Sequence, residues 1–554
     1  MPSAPLLHGT FRTDERARAA YAEGAGIYRI VPRAVAVPAD AADVARLVRW
    51  AAAERVPLVP RGAGSGMGGG NVGDGVIVDL TRLAAEPIAV CADERLAIAS
   101  AGASLAELNA AAAPHGLRLP PDPSSGGWAT LGGMLSTNAA GARSVRYGSI
   151  RRWALGATMI TADGETVTLC RRAQAGGGPT AFPDVAAVER FTREAAPRLR
   201  TAATTIRRRF PATRKNSSGY ALDAWLDSDD ILDLVIGAEG TLGLVTETVW
   251  QLDAVPRYRA GLRVVLDTTA TLGDVVAALL AAEPSAIELL DRTFLDLVAA
   301  ELPPPLATAV AGAEAVLLVE LERDDPAALQ RAVMQAAAAA AEWSGGVETA
   351  LTAEATERLW SLRHAASPLL AALPPERRSL QVIEDGCVPV ARLGEYVRLV
   401  RRAAAARGIS AVLFGHAGDG HIHVNLLPEL ARAGWEQEIT GLLDDVTEAL
   451  VQLGGTPSGE HGDGRLRAGL LARFYGAEVI ALFRAVKQAF DPLGILNPGI
   501  ILPADDAEGC AAAMNRLKVG ADAVPLPVDI ARALRAIEQT GGYRRHRLEV
   551  ADET

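Results

Sequence analysis

Four of the chain's eight histidines fall between Gly415 and Gly462, close enough together to share one site. Residues 411–427 read AVLFGHAGDGHIHVNLL, in which His421, His423 and Asn425 alternate with Ile422, Val424 and Leu426. Successive side chains of a strand point to opposite faces, so this period of two predicts both imidazoles and the amide on one face and an apolar row on the other. His416 lies just upstream, across the turn AGDG, and can fold back toward the same face. Further on, PSGEHGDGR sets Glu460 beside His461 between glycines. Two histidines and one carboxylate form the ligand set of an open catalytic metal site with a position left for water or substrate; zinc or manganese suits such donors. His421 shares the strand face, so this reading leaves it open as a ligand.

The elements that must position these residues can be read from periodicity. After an arm at residues 1–30, residues 31–254 alternate β-branched runs (GVIVDL, ATMITADGETVTL) with Ala-rich helical patterns such as AADVARLVRWAAAERV. In residues 255–456, helical stretches (PAALQRAVMQAAAAAAEW, GEYVRLVRRAAAARG) again alternate with strands (GLRVVLD, AVLLVELE, SAVLFGH), which predicts a second α/β domain. Residues 457–502 carry a helix, Leu471 to Phe490, that Pro492 and Gly494 end. The tail, residues 503–554, shows no usable pattern. The fold class expected is α+β.

Three glycine-rich segments stand in the first of these domains. Residues 59–71, VPRGAGSGMGGGN, begin a stretch with seven glycines from Gly62 to Gly73, whose free backbone N–H groups can approach a diphosphate. No GK[ST] follows, and the loop enters a strand instead of opening a helix, which excludes a Walker A loop and disfavours a Rossmann fingerprint. Residues 120–150, PPDPSSGGWATLGGMLSTNAAGARSVRYGSI, are dense in small polar residues suited to wrapping a large polar ligand. The third segment, GAEGTLG at 237–243, follows ILDLVI, read as an apolar strand.

Bulk composition narrows the classes. At 554 residues, 49% hydrophobic and 22% charged, the chain is long enough for two or three folded domains. A net charge of −11 argues against nucleic acid, and Arg207–Arg209 reads as a solvated helix face. Cys91, Cys170, Cys387 and Cys510 are too scattered for a zinc or iron–sulfur site and suit a reducing compartment. No run reaches the roughly 18 apolar residues of a membrane span, and the start meets charges too early for a signal peptide. The expected location is the cytoplasm, with peripheral association at the inner membrane left open, as is a homodimer.

The three glycine segments, in this order, resemble the FAD-binding domain of the vanillyl-alcohol oxidase superfamily, the PCMH-type fold. That resemblance assigns Arg61, Gly62, Gly64, Ser65 and Gly66 to the diphosphate. It places Asp122, Pro123, Ser124, Gly132, Gly133, Asn138 and Gly141 along the rest of FAD, with Glu239, Gly240 and Val245 near the adenine side or flavin edge. Some relatives attach flavin through a histidine in the first loop; residues 60–73 contain none, so non-covalent FAD is expected.

GHxGDGxxHxN paired with EHGxG is similar to the FAD-linked oxidase C-terminal domain of D-lactate, D-2-hydroxyglutarate and glycolate dehydrogenases. It implies a metal on His416, His423 and Glu460, His461 as the catalytic base and Asn425 as a substrate contact. LWSLRHAAS (359–367) matches the segment whose arginine, here Arg363, holds the substrate carboxylate. AIELLD, KNSSGYAL and FDPLGILNPG (490–499, with Asn497 assigned to the cofactor) extend the similarity over about residues 31–502. Residues 255–456 then become the substrate or cap domain and 457–502 a helical segment returning to the FAD domain. The implied reaction oxidises a small D-2-hydroxy acid by hydride transfer to flavin N5 at a metal-assisted site. Electrons would pass on to a quinone, a cytochrome or an electron-transfer flavoprotein. The alternatives are an alkyl-dihydroxyacetone-phosphate synthase-like transferase and an FAD-binding subunit serving an iron–sulfur partner. Where some 2-hydroxyglutarate members carry a lysine, this chain has Ile383.

Overall fold

The computed structural model describes residues 3–83, 87–171, 184–365, 369–370, 372–374, 377–504 and 509–553. Ala366 and Ser367, the end of the LWSLRHAAS segment, lie outside them.

The helix Ala41–Glu54 shows how the N-terminal part is built. Asp40 caps it, accepting the N–H of Asp43, and Arg55 ends it in the left-handed conformation. Val44, Leu47, Val48 and Ala51 recur at helical spacing and are all buried, forming one apolar stripe. The helix joins the strands Ala34–Val37 and Leu58–Arg61, both of which pair in parallel with Val76–Asp79, the type of connection that needs a crossover. Thr10–Arg12 closes that sheet antiparallel. A second, antiparallel sheet runs in the order Ala89–Cys91, Leu96–Ser100, Leu244–Gln251, Ala154–Ile160, Thr166–Cys170. Its core includes Trp225, Trp250 and the buried stripe Tyr475, Val479, Phe483, Val486 and Phe490 of Leu471–Phe490, an element interrupted at Gly476 (φ 77°).

The remaining sheet is antiparallel and seven-stranded: Gly346–Ala350, Tyr258–Leu266, Ala315–Arg323, Ala286–Asp291, Ser410–His416, His421–Leu427, Gly386–Cys387. One face supplies Leu262, Val264, Leu289, Val319, Ile422 and Val424 to a core shared with the helices Leu272–Leu280, Leu393–Ala406 and Trp435–Gln452. Because side chains alternate, the opposite face carries the polar row, and the register sets Glu288 across from His416 and Phe414 across from His423. The period of two in HIHVNLL is therefore realised as expected.

Two local expectations are corrected. ILDLVI is not a strand: Ile231–Val235 is helical, and since all five residues are buried they leave no polar face from which a period could be read. The tail is not featureless either. Val528–Thr540 and Arg547–Asp552 are helices, and Ile530, Leu534 and Val550 pack with Tyr21, Val35 and Ile77 of the N-terminal sheet region. Arg207–Arg209 lie exposed at the end of a helix, as expected. All four cysteines are free thiols, and among the described residues no helix is long and apolar enough to cross a membrane.

Candidate active site

A cavity of about 670 Å³ lies between the glycine segments and the polar face of the seven-stranded sheet. Along 62–70 its wall is Gly62, Ala63, Gly64, Ser65, Gly66, Met67, Gly68 and Gly70, a surface of backbone with few side chains to fill it. Every residue assigned to FAD lines this cavity except Asn138, Gly141 and Asn497. Those three hold its walls. Asn138 accepts the N–H of Arg151 (3.3 Å) and donates to Asn216 O (3.5 Å). Gly141 lies against the backbone of Asp122, where a side chain could not fit. Asn497 donates to Gly70 O (2.9 Å) and Glu239 O (2.8 Å), tying the first glycine segment to the third.

Two residues that do line the cavity turn their charged groups elsewhere. The Arg61 guanidinium donates to the carbonyls of Glu23 (2.8 Å), Asn71 (3.3 Å) and Tyr21 (3.4 Å), bracing the loop from behind. The Glu239 carboxyl accepts the N–H groups of Asp463 (2.7 Å) and Gly464 (3.0 Å) and so anchors the turn after His461. Burial, with Asp463 nearby, pushes it up to about 8.

At the other end, His416, His423, Glu460, His461, Arg363 and Asn425 all line the same cavity. His416 Nε2 is 3.1 Å from Glu460 Oε1 and 3.3 Å from His423 Nε2, and His423 Nε2 is 3.5 Å from Glu460 Oε1. Three donors about 2.1 Å from one ion at tetrahedral angles lie about 3.4 Å apart, so these atoms fit a single cation. The outward nitrogens are fixed as metal-bound imidazoles require: His416 Nδ1 bonds Glu288 Oε1, and His423 Nδ1 is 2.9 Å from Glu384 O. Burial disfavours the charged form of His416, and Glu288 outweighs it, lifting the group to about 9; a carboxylate that favours a proton there favours a cation in its place. Burial also works against ionisation of Glu460, but Lys215, at 2.8 Å from Oε2, and His416 hold it well below the usual carboxylate range.

His461 Nδ1 is 2.5 Å from Glu384 Oε2, which leaves Nε2 on the cavity side, 3.9 Å from Glu460 Oε1. Burial opposes its charge, but Asp385 and Glu384 raise it to about 10. Arg363 donates through Nε to Glu288 Oε2 (2.8 Å) and lies 4.4 Å from the centre of the Phe414 ring, so among the described residues its two terminal nitrogens remain for a planar anion. Asn425 Oδ1 accepts from Ser379 Oγ and Gln381 Nε2, both at 3.0 Å. Ile383 is buried in the apolar core behind the sheet.

Sequence reasoning missed Glu288, Glu384, Asp385 and Lys215, all buried in or around the cluster. Glu288 and Lys215 lie in the segments AIELLD and KNSSGYAL, and Glu384 and Asp385 directly follow Ile383. For Glu288 the usable signal was a charge embedded in an apolar run, which is costly to bury unless partnered; Lys215, between Arg214 and Asn216, carried no such signal.

The profile described as FAD linked oxidases, C-terminal domain, matches residues 255–501, and that described as FAD binding domain matches residues 32–169. A D-2-hydroxyglutarate dehydrogenase of Xanthomonas citri pv. viticola is 31% identical over 487 residues, covering 86% of this chain and 90% of its own. The chain belongs to the FAD-linked oxidases. Within that family, the glycolate oxidase subunit GlcD of Bacillus subtilis is 28% identical, with 86% of this chain and 90% of that one covered. The D-2-hydroxyglutarate dehydrogenase of Escherichia coli is 29% identical over 93% of this chain, which spans only 52% of that relative's length. Of solved structures, p-cresol methylhydroxylase matches with a TM-score of 0.63 at 13% identity, covering 89% of this chain and 94% of its own, which bears out the PCMH-type fold. An alkyldihydroxyacetonephosphate synthase matches with a TM-score of 0.59 at 18% identity, covering 88% and 82%; at this distance the likeness is one of fold.

Proposed function

We propose that this FAD-linked oxidase is a dehydrogenase that oxidises a small D-2-hydroxy acid to the 2-oxo acid, with non-covalent FAD and a divalent metal at His416, His423 and Glu460. The observation that carries the reading is the meeting, in one cavity, of a backbone-lined glycine wall with a three-donor cluster, a histidine and an arginine. The relatives named for 2-hydroxy-acid oxidation support the substrate class.

The glycine wall 62–70 would hold the FAD diphosphate through backbone N–H groups, with Arg61 as the brace that shapes the loop. When bound, the flavin supplies the two-electron acceptor. His416, His423 and Glu460 would hold a dication, whose positive charge would polarise the substrate's 2-hydroxyl and lower the proton affinity of His461. Arg363 takes the substrate carboxylate with its terminal nitrogens while Glu288 holds its Nε. Asn425, its oxygen occupied by Ser379 and Gln381, offers its amide N–H to the substrate. His461 removes the hydroxyl proton at Nε2, and Glu384 on Nδ1 fixes the ring and stabilises the charge it gains.

Anaerobic addition of D- and L-2-hydroxy acids to the purified protein tests the reading. A D-2-hydroxy acid is expected to bleach the flavin and its L-enantiomer is not. No bleaching with any 2-hydroxy acid sinks the proposal.

A further inference from the structure

His421 shares a strand face with His423, yet its surroundings differ. Its Nε2 is 2.8 Å from Asp385 Oδ1 and its Nδ1 is 3.5 Å from Lys215 Nζ. An imidazole that donates from Nε2 to a carboxylate and accepts at Nδ1 from an ammonium has no lone pair left for a cation. Asp385, fully buried, spends its remaining acceptors on one turn. Its Oδ2 accepts from Ser458 Oγ (2.6 Å) and from the N–H groups of His461 (2.9 Å) and Glu460 (3.3 Å), while its backbone carbonyl accepts the N–H of Gly459 (2.8 Å). Residues 457–463 belong to no helix or strand, so bonds of this kind, with those from Ser217 N–H to Ser458 O (2.9 Å) and from Asp463 N–H to Glu239 (2.7 Å), specify their path in place of a ladder.

The turn also rests on the imidazole itself. A Cβ at Gly459 would lie 2.9 Å from Cδ2 and Nε2 of His421, tighter than a carbon–carbon contact allows. The ring thus sets both the direction of the Asp385 carboxylate and the height of the turn above the sheet.

We propose that His421 is a positioning residue and not a metal ligand: through Asp385 and Gly459 it holds the turn that delivers Glu460 to the cation and His461 to the substrate. This rests on the metal-assisted reading above and assigns the remaining histidine of the cluster.

The test uses the FAD-loaded protein and the variants His421→Gln, which keeps an N–H donor for Asp385, His421→Leu, which does not, and His416→Ala as the ligand control. Amide hydrogen exchange at Glu460 and His461 is expected to rise about tenfold in the Leu variant and to stay near wild type in the Gln variant. Elemental analysis after loading with zinc or manganese is expected to find wild-type metal in the Gln variant and little in His416→Ala. Turnover of the 2-hydroxy acid that bleaches the flavin is expected to fall about 100-fold in kcat with little change in KM for Leu, and to recover most of that with Gln. Loss of metal from the Gln variant to the level of His416→Ala makes His421 a ligand and overturns the proposal. So does a Leu variant with wild-type exchange and wild-type kcat. If the Leu variant does not fold, Gly459→Ala, which drives ring and turn apart, is expected to raise the same exchange, and unchanged exchange there is equally decisive. Should wild type oxidise no 2-hydroxy acid, the dehydrogenase reading fails on its own, and exchange with metal content still decides the role of His421.

Discussion

Along residues 62–70 the cavity wall is backbone, and at the histidine cluster it is titratable side chains that each have a buried partner. The first wall gains its function from what is missing, since a Cβ at Gly62, Gly64 or Gly70 would run into Thr130, Arg61 or Glu239 and push the loop out of place. The second gains its function from what is paired, since each imidazole owes its orientation to a carboxylate or carbonyl behind it. The glycine wall should therefore fail when atoms are added and the histidine wall when a partner is removed, each leaving the other intact.

The largest effect is expected on the histidine side. Glu460→Gln removes one of the three proposed metal donors and the charge that Lys215 pairs with, so turnover should fall about 1,000-fold and bound metal should be lost. The flavin spectrum should be unchanged, and a variant that loses FAD as well would erase the contrast between the two walls. Gly62→Val tests the other wall: a Cβ there would collide with Thr130 Oγ1, and such overpacking costs about 1–3 kcal/mol. FAD affinity, measured by titrating the apoprotein, should weaken about 10- to 100-fold, while metal content holds. Arg363→Lys keeps the charge but loses the planar fork, so KM should rise about 10-fold with a smaller change in kcat; a lower KM would remove Arg363 from substrate binding.

The smallest effect concerns the junction of the two walls. Glu239 titrates at about 8 in the fold against an ordinary 4.5, so the folded chain holds this proton more tightly than the unfolded chain. The stability this confers is complete below 4.5 and is lost as the pH climbs through 8. Glu239→Gln, which stays neutral, should gain in unfolding temperature relative to wild type as the pH is raised, and a constant difference across that range would mean that Glu239 is ionised throughout.

What could be read in advance follows the same division. The glycine segments and the alternation of His421, His423 and Asn425 are local patterns, and local patterns are legible because backbone geometry repeats them. Glu288 was not, because its role comes from lying opposite His416 in a pairing of strands more than a hundred residues apart, and no short window encodes that register. Lys215 and Asp385 were hidden for the same reason: their partners, Glu460 and the turn at 458–461, are brought to them by packing. Arg61 shows the converse. Its position beside the glycines suggested a phosphate contact, but its side chain is drawn away by the carbonyls of residues 21–23. The tail escaped because Ile530, Leu534 and Ile537 form only a narrow stripe in a 13-residue helix.

That tail bears on the order in which the molecule can be made. The first sheet, completed by the strand Val76–Asp79, is covered by Ile530, Leu534 and Val550, and Leu58 is bridged by Leu496. A chain leaving the ribosome has the first glycine loop synthesised early, yet its outer cover and Asn497, which ties Gly70 to Glu239, emerge some four hundred residues later. The first glycine loop is therefore tied down only late in synthesis, and until then the apolar face that Ile530, Leu534 and Val550 cover lacks its partner.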